Sequence, residues 1–138
     1  MDVLEESDDL NELYRLYGIA AHNCSNIEYR IAHLLLGPKW AATKKLDTEK
    51  VRKIADSLYL KPLGALLKEY KQHYEFSEQQ IKVMNTILDK RNYLIHRFFG
   101  TYGKKMHNKE VLIEMIKELT DIIGMFQVAS HSLDEGVQ

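Results

Sequence analysis

Residues 10–36 read LNELYRLYGIAAHNCSNIEYRIAHLLL, and this stretch decides the fold class. Its apolar residues recur at steps of three and four, which is the spacing of an α-helix that buries one face. They are Leu10, Leu13, Tyr14, Tyr17, Ala20, Cys24, Ile27, Ile31, Leu34 and Leu35. The pattern predicts a first helix from about Ser7 to Leu36. Gly37 and Pro38 are expected to end it, since proline lacks a backbone donor and restricts the residue before it.

Two shorter helices are predicted in the middle of the chain. Asp47 or Thr48 can cap the second helix, because a short polar side chain accepts a hydrogen bond from the first free backbone amides. Pro62 fits the first turn of a third helix, where its missing N–H has no helical partner to lose. Both segments are short, so they form either two helices or one kinked unit.

Two long helices are predicted for the second half of the chain. Ser77, followed three residues later by Gln80, is the pattern of a capping box, in which each side chain bonds the backbone amide of the other residue. This fourth helix is expected to run to about residue 99 and to end at Gly100. Residues 100–105 read GTYGKK and are predicted to form a glycine-rich, basic loop. Asn108 can then cap the last helix.

Helical spacing governs the whole chain, since no segment alternates apolar and polar residues as a half-buried strand does. With 138 residues, the chain has the length of one ordinary domain. We therefore predict a single all-α domain over residues 1–138. Its expected architecture is an up-and-down helical bundle of four main helices with a short or kinked middle segment.

Composition and charge favour a folded cytoplasmic protein. Hydrophobic residues make up 45% and charged residues 28% of the chain, as in globular proteins. The 19 bases nearly balance the 20 acids, but residues 39–71 hold nine bases against four acids, and residues 89–109 hold six against one. Such stretches suit either solvated helix faces or a phosphate-binding surface. Cys24 is the only cysteine, and the sequence shows neither a signal peptide nor an apolar run of about 20 residues, so we expect a cytoplasmic location and no membrane partner.

One helical stretch breaks the separation of apolar and polar residues. Advancing 100° per residue along the fourth helix places Arg91 at the centre of an apolar arc. The arc consists of Met84, Leu88, Ile95 and Phe98. A guanidinium there needs a carboxylate, a phosphate or a water-filled cleft, because a dry, unpaired charge costs too much free energy. Asn92 and His96 are one turn apart at the edge of the same face. Glu28, within the apolar arc of the first helix, is a possible structural partner of Arg91.

The segment RNYLIH, residues 91–96, resembles the Arg-Asn-x-x-x-His form of the motif of the HEPN family (higher eukaryote and prokaryote nucleotide-binding domains). The length of the chain, the order of its helices and the place of the motif in the penultimate long helix match that family as well. The resemblance implies a helical bundle that cleaves RNA without a metal or other cofactor. It also implies a homodimer in which two motifs face one cleft. The implied role is that of a defence effector, or of a toxin with a nucleotidyltransferase antitoxin as partner.

The motif of the family, carried over to this sequence, assigns catalysis to three side chains. His96 would transfer protons, since imidazole titrates near neutral pH. Arg91 would hold the scissile phosphate, and Asn92 would orient either the phosphate or His96. The RNA 2′-hydroxyl would attack the phosphorus and leave a cyclic phosphate. Four basic residues would bind the RNA backbone without sequence preference: Lys90, Arg97, Lys104 and Lys105.

Two other interpretations stay open. Some family members keep the fold as a non-catalytic module that binds a protein or a nucleotide. The chain could also be an unrelated helical interaction module, encoded on a mobile element. Some toxin members carry a tyrosine two residues after the histidine, which the antitoxin modifies with nucleotide, and Phe98 occupies that position here. The histidines outside the motif are scattered without the spacing of a zinc site, so no metal is predicted.

Overall fold

The structure, a computed structural model, describes residues 2–41 and 48–136, with side chains described for residues 8–39 and 48–133. In the described ranges the chain forms six α-helices and no strand, which confirms the predicted all-α helical bundle class. The helices are α1 (Asp2–Ala41), α2 (Thr48–Tyr59), α3 (Leu63–His73), α4 (Glu78–His96), α5 (Phe98–Tyr102) and α6 (Lys109–Gly136), with a 3₁₀ turn over Gly103–His107 between the last two. A membrane-spanning helix is absent from this part of the chain.

The helices form two compact units, each described by itself below. The first unit comprises Met1–Cys24 and Asp89–Gln138, and the second comprises Ser25–Leu88. Both α1 and α4 therefore contribute one part to each unit. The single-domain organisation stays a prediction.

In the first unit, the buried side chains come from the first half of α1, the end of α4, α5 and α6. They are Leu13, Ala20, Cys24, Leu94, Phe98, Leu112, Met115, Leu119, Ile122, Phe126 and Ala129. Most recur at steps of three, four or seven along their helix, as expected for one buried face. The predicted stripe of α1 is buried at Leu13, Ala20 and Cys24, but Tyr14 is 53% exposed.

In the second unit, the core is built from the other half of α1, from α2 and α3, and from the first half of α4. Its buried side chains are Ile27, Ile31, Ala32, Leu35, Leu36, Leu58, Leu63, Leu66, Leu67, Tyr70, Met84 and Ile87. The helix α3 supplies the densest run, because four of its eleven residues are buried. The two middle helices are separate elements, with a turn at residues 60–62 between them.

The prediction that Gly37 and Pro38 end the first helix was wrong, because α1 continues through Pro38 to Ala41. Proline cannot donate the helical hydrogen bond to the carbonyl four residues earlier, which here is that of Leu34. The hydroxyl of Tyr74 donates to this carbonyl instead, at 2.9 Å. A tertiary contact thus supplies the donor that the proline lacks, and the carbonyl is not left without a partner.

The prediction that the fourth helix runs to about residue 99 and ends at Gly100 was also wrong. The helix α4 ends at His96, a turn follows at Arg97 (φ −129°, ψ −18°), and Gly100 lies inside α5. Residues 100–105 are not a loop, since they belong to α5 and the 3₁₀ turn. Gly103 begins the 3₁₀ turn, and its φ of +48° is a conformation that favours glycine.

The caps predicted for α4 and α6 are confirmed. The backbone amide of Ser77 donates to the Gln80 side chain at 2.9 Å, and the amide of Gln80 donates to the Ser77 hydroxyl at 3.1 Å. The Asn108 side chain accepts from an amide of the first turn of α6 at 2.9 Å. Pro62 lies one residue earlier than predicted, at the N-cap of α3. Thr48 begins α2, while Asp47 lies outside the described residues.

Candidate functional site

Two of the three predicted catalytic side chains are hydrogen bonded to each other. Arg91 and Asn92 are half-buried near the end of α4. The Arg91 guanidinium donates from Nη1 to the Asn92 side-chain oxygen at 3.2 Å. Arg91 is therefore partnered within the chain, as the burial argument requires. Glu28 is half-buried too, and its pairing with Arg91 stays a prediction.

His96 is the last residue of α4, and its side chain is exposed. Four residues along a helix bring side chains back to within about 40°, so His96 shares a face with Asn92. Five residues turn the direction by about 140° and advance it by about 7.5 Å, so Arg91 points elsewhere. Within the motif, Asn92 is therefore hydrogen bonded to Arg91 and lies on the same helix face as His96.

The buried direction at the end of α4 differs from the predicted one. Ile95, expected inside the apolar arc, is 44% exposed, whereas its neighbour Leu94 is 1% exposed. Phe98 is fully buried, as the arc required. The prediction that His96 lies at the edge of the apolar face was wrong, because a residue two positions after Leu94 leaves the helix about 200° away from it.

Three of the four predicted RNA-backbone residues are exposed. Lys90 is half-buried, while Arg97, Lys104 and Lys105 are exposed, the two lysines within the 3₁₀ turn. The guanidinium carbon of Arg97 lies 5.7 Å from the centre of the Tyr93 ring, within the range of a cation–π contact. The residue directly after the exposed His96 is therefore an exposed arginine whose guanidinium contacts the ring of Tyr93.

Sequence reasoning missed a polar cluster behind this cation. The hydroxyl of Tyr102 donates to the carboxylate of Glu118 on α6. Burial, and then the bond to Glu118, raises the pKa of Tyr102. Burial and the same carboxylate also raise the pKa of Tyr93, whose hydroxyl contacts Thr101 as well. Both tyrosines thus stay protonated at neutral pH. No helical spacing signals this cluster, because Glu118 follows Tyr102 by 16 residues on another element.

Comparison with known proteins gives no relative for this chain. No family model, no curated protein and no solved structure matches it. The likeness to the HEPN family therefore stays a prediction from the residues of the motif. Within the described residues, no three side chains of His, Cys, Asp or Glu gather as a metal site would need.

Aromatic packing supports the turn between α4 and α5. The ring of Phe98 packs edge-on against Tyr93 (6.0 Å between ring centres) and Tyr102 (5.7 Å), and it stacks with Tyr17 at 6.0 Å. The Tyr17 hydroxyl donates to the carbonyl of Leu94 at 3.1 Å. His96 and Arg97 thus lie at a turn whose neighbouring residues are packed among aromatic rings. Such a pair can contact an anion such as a phosphate, and the imidazole can exchange a proton with it.

Proposed function

We propose that this chain is a metal-independent endoribonuclease of the HEPN type, with His96 as the proton-transfer group. The observation that carries the proposal is the exposure of His96, one helical turn from the hydrogen-bonded Arg91–Asn92 pair. A general acid–base group must reach its substrate, and a side chain that binds the phosphate must be held in place. The arrangement meets both requirements, with the imidazole open to solvent and the guanidinium fixed.

The reaction proposed is an internal transfer at phosphorus. The RNA 2′-oxygen forms a bond to the adjacent phosphorus, and the bond from phosphorus to the 5′-oxygen breaks. Neutral His96 takes the proton from the 2′-hydroxyl, and the leaving 5′-oxygen gains a proton from the second motif of a homodimer or from water. The products are a 2′,3′-cyclic phosphate and a free 5′-hydroxyl.

Arg91 is held by a hydrogen bond from its Nη1 to the side-chain oxygen of Asn92. A guanidinium is a planar group whose N–H donors match the oxygens of a phosphate. Asn92 thus holds Arg91 in one orientation and shares a helix face with His96. Lys90, together with exposed Arg97, Lys104 and Lys105, would add affinity for the RNA backbone that weakens as salt rises.

The proposed partners are RNA, a second copy of the chain and, for a toxin, a nucleotidyltransferase antitoxin, all in the cytoplasm. The position at which some toxin members carry the modified tyrosine is occupied by Phe98, whose side chain is fully buried. Antitoxin control would therefore act through binding, and not through nucleotide transfer to this residue.

The test is cleavage of total RNA in EDTA by the purified chain and by three variants. His96→Ala is expected to lower the rate by about 10²- to 10⁴-fold, the usual share of a general acid–base group. Arg91→Ala should lower it by about 10²-fold or more. His22→Ala is the matched control, since His22 is an exposed histidine of the same unit outside the motif. Cleavage that survives His96→Ala, or products without cyclic-phosphate ends, would contradict the mechanism.

The second candidate is a non-catalytic module that binds a protein or a nucleotide. It is favoured by the half-burial of Arg91 and its bond to Asn92, since both also suit a structural charge. In that case RNA stays intact with folded wild-type protein. Arg91→Ala then lowers the melting temperature, whereas His96→Ala leaves it unchanged because that side chain is exposed.

A further inference from the structure

Two tyrosines of the second unit form a stack that is open to solvent. The rings of Tyr29 on α1 and Tyr59 at the end of α2 lie 4.8 Å apart between centres and are inclined by only 10°. Their exposed fractions are 59% and 37%. Leu60, the residue after Tyr59, is 85% exposed. The unit therefore presents an aromatic and apolar surface to solvent.

The tyrosine stack is preorganised for another flat ring. A stack uses one face of each ring, and the exposure of Tyr29 shows that much of its remaining surface reaches solvent. Each ring has two side-chain torsions, so fixing it before binding saves conformational entropy. Burial, and then the Tyr29 hydroxyl, raises the pKa of Tyr59, so this hydroxyl carries no charge at neutral pH.

The stretch of chain that contains Tyr59 is basic. Residues 48–71 hold six bases against three acids. Lys61 follows Tyr59 by two residues and pairs with Glu69, which also binds Lys39 at 3.2 Å. Two lysines thus share one carboxylate, so these three side chains together carry one net positive charge, the sign that attracts an anionic polymer. The ion pairs Arg52–Asp56 and Lys53–Glu49 join side chains that are at least 64% exposed, where water weakens them.

We propose that the Tyr29–Tyr59 pair is a stacking site for a base of single-stranded RNA. Aromatic side chains bind bases of any sequence, because every base has a flat face, and nearby cations hold the phosphates. The choice of RNA as the ligand rests on the proposed ribonuclease function. The stacking site further implies that the bound part of the RNA is single-stranded. A base in a duplex is already stacked on its neighbours and cannot occupy the tyrosine pair.

The experiment uses a short single-stranded RNA that contains one 2-aminopurine, whose emission falls when it stacks. Binding is measured in EDTA with His96→Ala protein, so that the RNA stays intact. The double variant Tyr29→Leu, Tyr59→Leu should weaken binding about 5- to 100-fold and abolish the quenching. The double variant with Phe at both positions keeps the rings and should bind like the parent. Tyr14→Leu, an equally exposed tyrosine of the other unit (53%), is the matched control.

Four results would overturn the stacking site. The first is unchanged affinity and quenching in the Leu variant, and the second is loss of both in the folded Phe variant. The third is equal affinity for duplex RNA. The fourth is a protein that is a dimer as wild type and a monomer as the Leu variant. The last would make the pair an interface between copies. Tyr29→Leu alone, at the more exposed ring, replaces the double variant if the latter does not fold. RNA cleavage by wild type with unchanged binding by the Leu variant refutes only the stacking site. Stacking without cleavage refutes only the proposed ribonuclease.

Discussion

Replacing Tyr74 by Phe removes one oxygen, the donor to the Leu34 carbonyl that Pro38 leaves without a helical partner. The hydrogen bond is 2.9 Å long and partly buried. A net hydrogen bond contributes about 0.5–1.5 kcal/mol, and a stranded buried carbonyl costs about 1–3 kcal/mol. Because the site is only partly buried, we expect a loss of about 1–2 kcal/mol. In a chain of this size, that loss lowers the melting temperature by roughly 3–8 °C.

The reasoning is tested with Pro38→Ala, which restores a backbone donor to the same carbonyl. In that background the Leu34 carbonyl keeps its helical bond, so Tyr74→Phe should cost less by at least about 0.5 kcal/mol. Urea unfolding at 25 °C, followed by helical circular dichroism, gives the four free energies of the cycle. Tyr14→Phe is the control, since its exposed hydroxyl should matter by less than about 0.5 kcal/mol. An equal cost of Tyr74→Phe in both backgrounds would refute the argument.

Three further changes test other parts of the structure. The pKa of Tyr102 is higher in the folded state than in the unfolded state, so the wild-type protein loses stability as the pH rises above about 10, the pKa of an unfolded tyrosine. Tyr102→Phe removes the titrating hydroxyl and should reduce this loss. Urea unfolding from pH 7 to 11 measures this. Ser77→Ala should cost about 1 kcal/mol in the same assay, because the amide of Gln80 loses its acceptor. Tyr93→Leu should weaken RNA binding about 2- to 5-fold, as measured by anisotropy, because Arg97 loses its aromatic support.

Each of these changes has its own contradicting result. An unaltered pH slope in the Tyr102 variant would show that its hydroxyl does not titrate with folding. Ser57→Ala is the control for the cap, because this exposed serine lies within α2, where alanine is the better helix former. An equal loss in both serine variants would reject the capping role. Tyr93→Phe keeps the ring, so a loss of binding in that variant would reject the cation–π contact.

The fold class could be predicted because its signals are local. Apolar spacing defines helices, and the capping hydrogen bonds of Ser77, Gln80 and Asn108 join residues only two or three positions apart. The end of α1 could not be predicted, because the Leu34 carbonyl that Pro38 leaves without a helical donor is bonded by Tyr74, which is 36 residues after Pro38 in the chain. Pro38 lies inside a helix where the carbonyl that it leaves without a helical donor has another partner.

The buried direction at the end of α4 could not be predicted from the sequence. Leu94 and Ile95 are adjacent and equally apolar, so helical periodicity alone cannot decide which of them faces the core. The structure buries Leu94, which turns the buried direction by about 100° relative to the choice of Ile95. The Tyr102–Glu118 bond was beyond sequence reasoning for another reason, since it depends on how α5 packs against α6.

The burial of Leu94 constrains any mechanism at this motif. His96, two positions later, faces away from the core, while Arg91 is half-buried and bonded to Asn92. Within one chain, a phosphate that contacts His96 meets the Asn92 face of α4 first, and the Arg91 guanidinium must reach around the helix to join it. Arg97 is already exposed beside His96 and rests on Tyr93. In the proposed ribonuclease, a phosphate beside His96 would therefore meet Arg97 of the same chain before Arg91, and direct contact with Arg91 would need the motif of a second copy.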